Sequence, residues 1–147
     1  MKIDPTNIAI IKHLRDGKKS FKKIAEELAI TENTVRARVN KMQEEGVLEI
    51  AGLVDPQTLG GHKVAIIGVR LRKMHLIEKG EEFSKLKGVV SVSVVTGRFD
   101  LILVVLLNED FDLLEFYSDG VNKIEDVQSV ETFVVYKGYG LKVPYVL

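Results

Sequence analysis

At 147 residues, 46 % apolar and 29 % charged, the chain has the composition of an ordinary soluble globular protein with room for one domain or two small ones. Its 21 Lys and Arg balance 21 Asp and Glu, so no global charge announces a nucleic-acid partner, and the lack of cysteine excludes disulfides and thiolate zinc sites. The apolar run Leu101–Leu107 is far short of the roughly 20 residues that span a bilayer, and the opening MKIDP carries no apolar signal segment, so a cytoplasmic protein without a membrane partner is expected.

Up to about Glu49 the apolar spacing is helical. Asp4 stands as an N-cap with Pro5 at the first helical position, and Ile3 is placed to pack on Ile8 as a hydrophobic staple. Ile8, Ile11 and Leu14 are expected on the buried face, with Gly17 ending the helix. Ser20 caps a shorter second helix that turns Ile24, Ala25 and Leu28 inward. After a break at Ala29 and Ile30, Thr31 caps a third helix, with Glu32 well placed in its first turn. There Val35, Val39 and Met42 recur as a buried stripe.

On a wheel of about 100° per residue, Asn33, Arg36, Ala37 and Asn40 lie opposite that stripe. Thr34 and Lys41 occupy one flank, and Arg38 sits nearer the core edge. Between Lys12 and Lys41 nine basic residues stand against four acidic ones, so the segment is locally basic. Amide and guanidinium groups on such a face suit a DNA major groove, and two short helices, a tight turn and a capped polar third helix make a helix-turn-helix. The candidate contacts are Asn33, Arg36 and Asn40 on base edges and Thr34, Arg38 and Lys41 on phosphates. Lys18, Lys19, Lys22 and Lys23 add non-specific attraction. A three-helix bundle whose third helix merely has a solvated face fits the same spacing.

Residues 51–61 contain Asp55-Pro56 and Gly60-Gly61 and read as a linker between a helix-turn-helix domain, 1–50, and a second domain, 62–147. From His62 the order is strand, helix (about Leu76 to Leu86), strand, a tight turn at Gly97-Arg98, strand, helix (about Phe111 to Lys123), strand. This is the ferredoxin-like βαββαβ plan, so the fold class is α+β. Two helices cover one face of a four-stranded sheet, yet Val64 to Val69 and Leu101 to Leu107 are apolar on both faces. Sheet-to-sheet pairing in a homodimer would bury the second face; a linker or tail folded over it is the alternative. Strand register leaves open whether Leu103 or Val104 points to that face.

These residues carry a resemblance. The opening Ile-Asp, the IAEELAIT turn, the TVRARV helix, EEGVLE, the DP and LG of the linker, and TGRFDLIL at a Gly-x-x-Asp turn resemble, in order and spacing, the Lrp/AsnC (feast/famine) transcription regulators. The family usually has a second Asp shortly after the first, where this chain has Asn7; the expected effect is confined to local capping and solubility. The resemblance implies a transcription regulator that reads double-stranded DNA, dimerises through its sheets, assembles further and responds to a small-molecule effector, commonly an amino acid held between dimers. In TGRFD, Gly97 can free backbone N–H groups for a carboxylate, and Asp100 can receive an ammonium. Thr132 matches a threonine that such proteins place near the pocket, and Arg98 can serve the same anion. A plain hairpin turn accounts for Gly97 and Asp100 equally well.

No catalytic site, cofactor or metal is expected. His13, His62 and His75 lack metal-ligand spacing, no phosphate loop or nucleophile elbow is present, and the acidic run Glu109, Asp110 and Asp112 reads as helix capping. An enzyme of the same outline, resembling the sirohaem decarboxylases, would draw on His62, His75, Arg70 and Arg72 and leave the basic helix face without a use. An RNA-binding sheet would need aromatic pairs on its central strands, where Val, Leu and Ile stand instead.

Overall fold

The computed structural model describes residues 2–147, which form two compact units, one extending to Ala51 and the other from Gly52 to Leu147. The first is three helices: α1 (Pro5–Leu14), α2 (Phe21–Leu28) and α3 (Glu32–Glu44). Each begins at the expected cap, with side-chain oxygens of Asp4, Ser20 and Thr31 accepting from the N–H groups of Asn7, Lys23 and Thr34. Ala29 ends α2 in the left-handed region, φ 54°, and turns the chain into α3. Ile10, Ile24, Val35, Val39 and Met42 are fully buried at the centre.

The phase of α1 differs from the expectation. Ile8 is 44 % exposed, while Ile10 is fully buried and Asn7 is 1 % exposed. The inward stripe runs through Ile3, Asn7, Ile10 and Leu14, with Ile11 beside it. Asn7 can sit there because its amide oxygen accepts a hydrogen bond from Arg38 at 2.8 Å. Its role therefore exceeds the capping and solubility expected of it.

The second unit holds a four-stranded antiparallel sheet in the order β3-β4-β2-β5, built from β2 (Lys63–Leu71), β3 (Val89–Val94), β4 (Leu101–Leu107) and β5 (Val127–Val134). With α4 (Leu76–Ser84) and α5 (Leu113–Glu115) this is the ferredoxin-like arrangement. Alternation sends Ala65, Ile67, Val69, Leu101, Leu103 and Val105 to one face, where they pack with Phe83 and Phe116 of the helices. Leu103 is thus a core residue, and Val104, paired with Ile66, lies on the opposite face. The expected helix from Phe111 to Lys123 is broken up. A single α turn, α5 (Leu113–Glu115), is followed by a π turn (Phe116–Gly120) and a 3-10 turn (Val121–Lys123). Asp112 caps α5 in a reciprocal capping box with Glu115.

The linker expectation also changes. Leu53–Val54 form β1, which pairs antiparallel with β6 (Val143–Pro144), and Pro56 is buried. Val143 packs with Val64 and Leu106, so this two-stranded strap covers part of the sheet's second face within the chain. The physical reason is that an apolar strand face gains by burial wherever chain is available to cover it. On the same face Ile66, Ile102 and Val104 are half-buried, Val104 packing against this cluster, and Phe133 is 48 % exposed.

Candidate nucleic-acid interface and effector turn

Burial of Val35, Val39 and Met42 fixes the rotation of α3, leaving Asn33, Arg36, Ala37, Asn40 and Lys41 exposed together. Arg36 has two partners on the fold: its Nη2 donates to Glu32 Oε1 at 2.7 Å, and its guanidinium carbon is 5.4 Å from the centre of the Phe21 ring. Thr34 Oγ1 shares a hydrogen bond with the capping Thr31 Oγ1 at 2.8 Å. Lys18 and Lys22 are exposed, and Lys23 lies 3.9 Å from Glu26.

Two residues assigned to phosphates have other partners. Arg38 Nη1 donates to Asp4 Oδ2 at 2.7 Å and to Asn7 Oδ1 at 2.8 Å, tying α3 to the start of α1. Lys19 Nζ donates to Glu27 Oε2 at 2.9 Å and also meets His13 Nδ1 at 3.0 Å. That hydrogen bond from Lys19 holds the Glu27 carboxyl below its ordinary range. Both cations are thus engaged within the fold, and the exposed basic face is smaller than the sequence count suggests. The Glu32–Arg36 spacing was open to reading as an i, i+4 pair; the partners of Arg38, more than thirty residues away, left no local signal.

The TGRFD turn has Gly97 at φ +123° with open space around it, a conformation that favours glycine. Asp100 is bound into the sheet, its Oδ2 accepting from the Leu71 N–H at 2.7 Å. Arg98 pairs with Glu131 at 3.0 Å. Thr132 pairs in register with Ile67, on the helix side of β5, and its hydroxyl bonds to the Tyr117 hydroxyl from the π turn. Gly97, Arg98 and Asp100 are therefore neighbours, whereas Thr132 and the Glu131 partner of Arg98 alternate to opposite faces of β5. Tyr117 and Glu131 were not anticipated.

The two histidines named for an enzyme do not converge. His62 and His75 flank the two ends of β2, nine residues or roughly 30 Å of strand. His62 bonds to the Gly60 carbonyl and the Tyr145 hydroxyl, and His75 sits 3.6 Å from Glu78. Among the described residues no cluster of His, Asp and Glu is arranged to hold a metal ion.

Comparison with known proteins agrees in both units. A winged helix-turn-helix DNA-binding family matches residues 3–49, and the Lrp/AsnC ligand binding domain matches residues 64–140. The HTH-type transcriptional regulator PF1231 of Pyrococcus furiosus is 34 % identical over 121 residues, 82 % of each chain. Ptr1, an HTH-type transcriptional regulator of Methanocaldococcus jannaschii, is 27 % identical over 97 % of this chain and 99 % of its own. Among solved structures, E. coli AsnC superposes with a TM-score of 0.69 at 22 % identity, covering 94 % of this chain and 95 % of its own. The transcriptional regulator NMB0573 of Neisseria meningitidis, in complex with L-Met, gives 0.70 at 22 % identity over 99 % and 96 %. At those identities the structural likeness speaks to the fold.

Proposed function

The chain belongs to the Lrp/AsnC family of transcription regulators, and from that membership we propose that it reads double-stranded DNA as a homodimer and adjusts its binding to an amino acid. The observation that carries the DNA half is the exposed row Asn33, Arg36 and Asn40 on a helix whose opposite stripe is fully buried. These three meet base edges, Thr34, Lys41, Lys18, Lys22 and Lys23 meet phosphates, and Arg38 works by holding α3 in place. Competition binding with a preferred and an arbitrary duplex tests this. Arg36→Ala should lose roughly 1–3 kcal/mol at the preferred site and discriminate less, while Lys22→Ala should weaken all duplexes alike and lower the salt slope by about one. Equal, sequence-independent losses from both would remove Arg36 from base reading.

For the effector, the open Gly97 turn with the Asp100 carboxylate close by in sequence supports a site for a free amino acid, and the L-Met complex of NMB0573 supports that ligand class. Coupling between effector and DNA is reciprocal, so an amino acid that tightens DNA binding is itself bound more tightly when DNA is present. Calorimetric titration with and without duplex measures this; equal affinities in the two titrations would separate any such site from regulation of DNA binding.

A further inference from the structure

Glu32 is the first residue of α3, immediately after the cap Thr31, and it is exposed. Two structural duties account for an acid there: it complements the helix dipole, and it pairs with Arg36 at 2.7 Å. Neither accounts for what happens on DNA. The leading residues of a recognition helix are those that meet base edges. A carboxylate carried into the groove loses water and faces phosphates together with the N7, O6 and O4 acceptors, which is costly unless a donor meets it. The major groove offers two donors, the N4 amine of cytosine and the N6 amine of adenine. Adenine sets its amine beside the N7 acceptor, which repels a carboxylate, so cytosine is the better match.

We propose that Glu32 is a specificity-determining residue, accepting from the N4 amine of a cytosine while Arg36, released from it, takes the O6 and N7 of a nearby guanine. This rests on α3 entering the major groove as proposed above. Residues four apart on a helix are separated by about 6 Å along its axis, against a base-pair rise of about 3.4 Å, so the two bases lie within two base pairs of each other. Off DNA the two side chains satisfy one another through a half-exposed pair, with relative exposures of 53 % for Arg36 and 44 % for Glu32, and such pairs are weak enough to be exchanged. On a wrong sequence the carboxylate is left against acceptors, so the residue discriminates by repulsion as well as attraction.

Selection of binding sites from a randomised duplex pool tests the assignment with wild type, Glu32→Gln and Glu32→Ala. Wild type should enrich a guanine and a cytosine within two base pairs. Glu32→Gln keeps the side-chain shape and suits the N6 and N7 of adenine, so it should move the cytosine preference to adenine, with roughly tenfold discrimination. Glu32→Ala should flatten that position, leave the guanine in place and bind arbitrary duplex several-fold more tightly. Circular dichroism checks the fold; should Glu32→Ala misfold, the isosteric Glu32→Gln carries the test alone. Base preferences unchanged in Glu32→Gln would overturn the role of Glu32 and leave DNA reading intact. A wild-type pool with no enriched sequence would overturn sequence reading itself, and the role of Glu32 with it.

Discussion

The Arg38 guanidinium, by a direct hydrogen bond, holds the Asp4 carboxyl below its ordinary 3.8, and the Asn7 backbone N–H reinforces the effect. A carboxyl whose folded pKa is depressed contributes stability that is present above its unfolded value and is lost as pH falls through the folded one. Thermal melts should therefore show the helical unit weakening as pH drops below 3.8, and Arg38→Met should weaken less over that interval because it has already lost the bond. At neutral pH the same variant leaves the buried Asn7 oxygen without its partner, at a cost of about 1–3 kcal/mol. Its DNA affinity should fall with an unchanged salt slope, because no phosphate contact is removed; a slope reduced by about one would return Arg38 to the phosphates. Hydropathy alone hid this network, since Asn7 reads as a surface residue and its partner is remote in sequence. The caps, by contrast, were legible because each acts within three residues. Ala29 is a further local case: at φ 54° its Cβ is strained, and Ala29→Gly should raise unfolding stability by about 0.5–1 kcal/mol in denaturant titration. No gain there would mean the turn carries no strain.

Asp100 joins two elements. Its side chain accepts from Leu71 at the end of β2, its N–H donates to the Val69 carbonyl, and its own carbonyl accepts from Val95 across the β3–β4 turn. Beside it the Phe99 ring lies so close over Gly68 that an added Cβ would stand 2.6 Å from ring carbons. Asp100→Ala should thus destabilise the sheet unit by about 1–3 kcal/mol by orphaning the Leu71 N–H, whereas Asp100→Asn keeps an accepting oxygen and most of the stability. Calorimetric titration of amino acids into the Asn variant then separates the roles. Lost binding in a stable protein makes the carboxylate the ammonium partner, and retained binding reduces TGRFD to a turn. The strands of this unit were legible through their alternation and turn residues. The π turn after α5 was not, because the apolar spacing from Phe111 to Lys123 is helical, and widening a turn by one residue alters no composition. Yet that turn carries Tyr117, whose hydroxyl meets Thr132, so the part of the candidate effector region on the helix side depends on a feature no periodicity reveals.

At the scale of the whole molecule the open question in the sequence was what covers the sheet's second face, and the chain's own strap answers part of it. The strap of β1 and β6 covers Val64 and Leu106, which the sequence could not decide because pairing residues 53–54 with 143–144 is a long-range event. Ile66, Ile102, Val104 and Phe133 keep exposed area on this face, and their burial by a second copy is the basis of the proposed homodimer. The register makes the test sharp. Val104→Lys puts a charge on the second face, where Val104 is only half-buried and the long lysine stem can carry its ammonium to water, so the variant should fold and scatter light as a monomer. Leu103→Lys buries the charge beneath the helices, where effective penalties reach several kcal/mol, so it should unfold. Losing the dimer also separates the two recognition helices that paired half-sites require, spaced about 34 Å apart, so Val104→Lys should bind a half-site as wild type does and a full site far more weakly. A wild-type chain that scatters as a folded monomer, or a Val104→Lys dimer with unchanged full-site affinity, would move the interface away from this face.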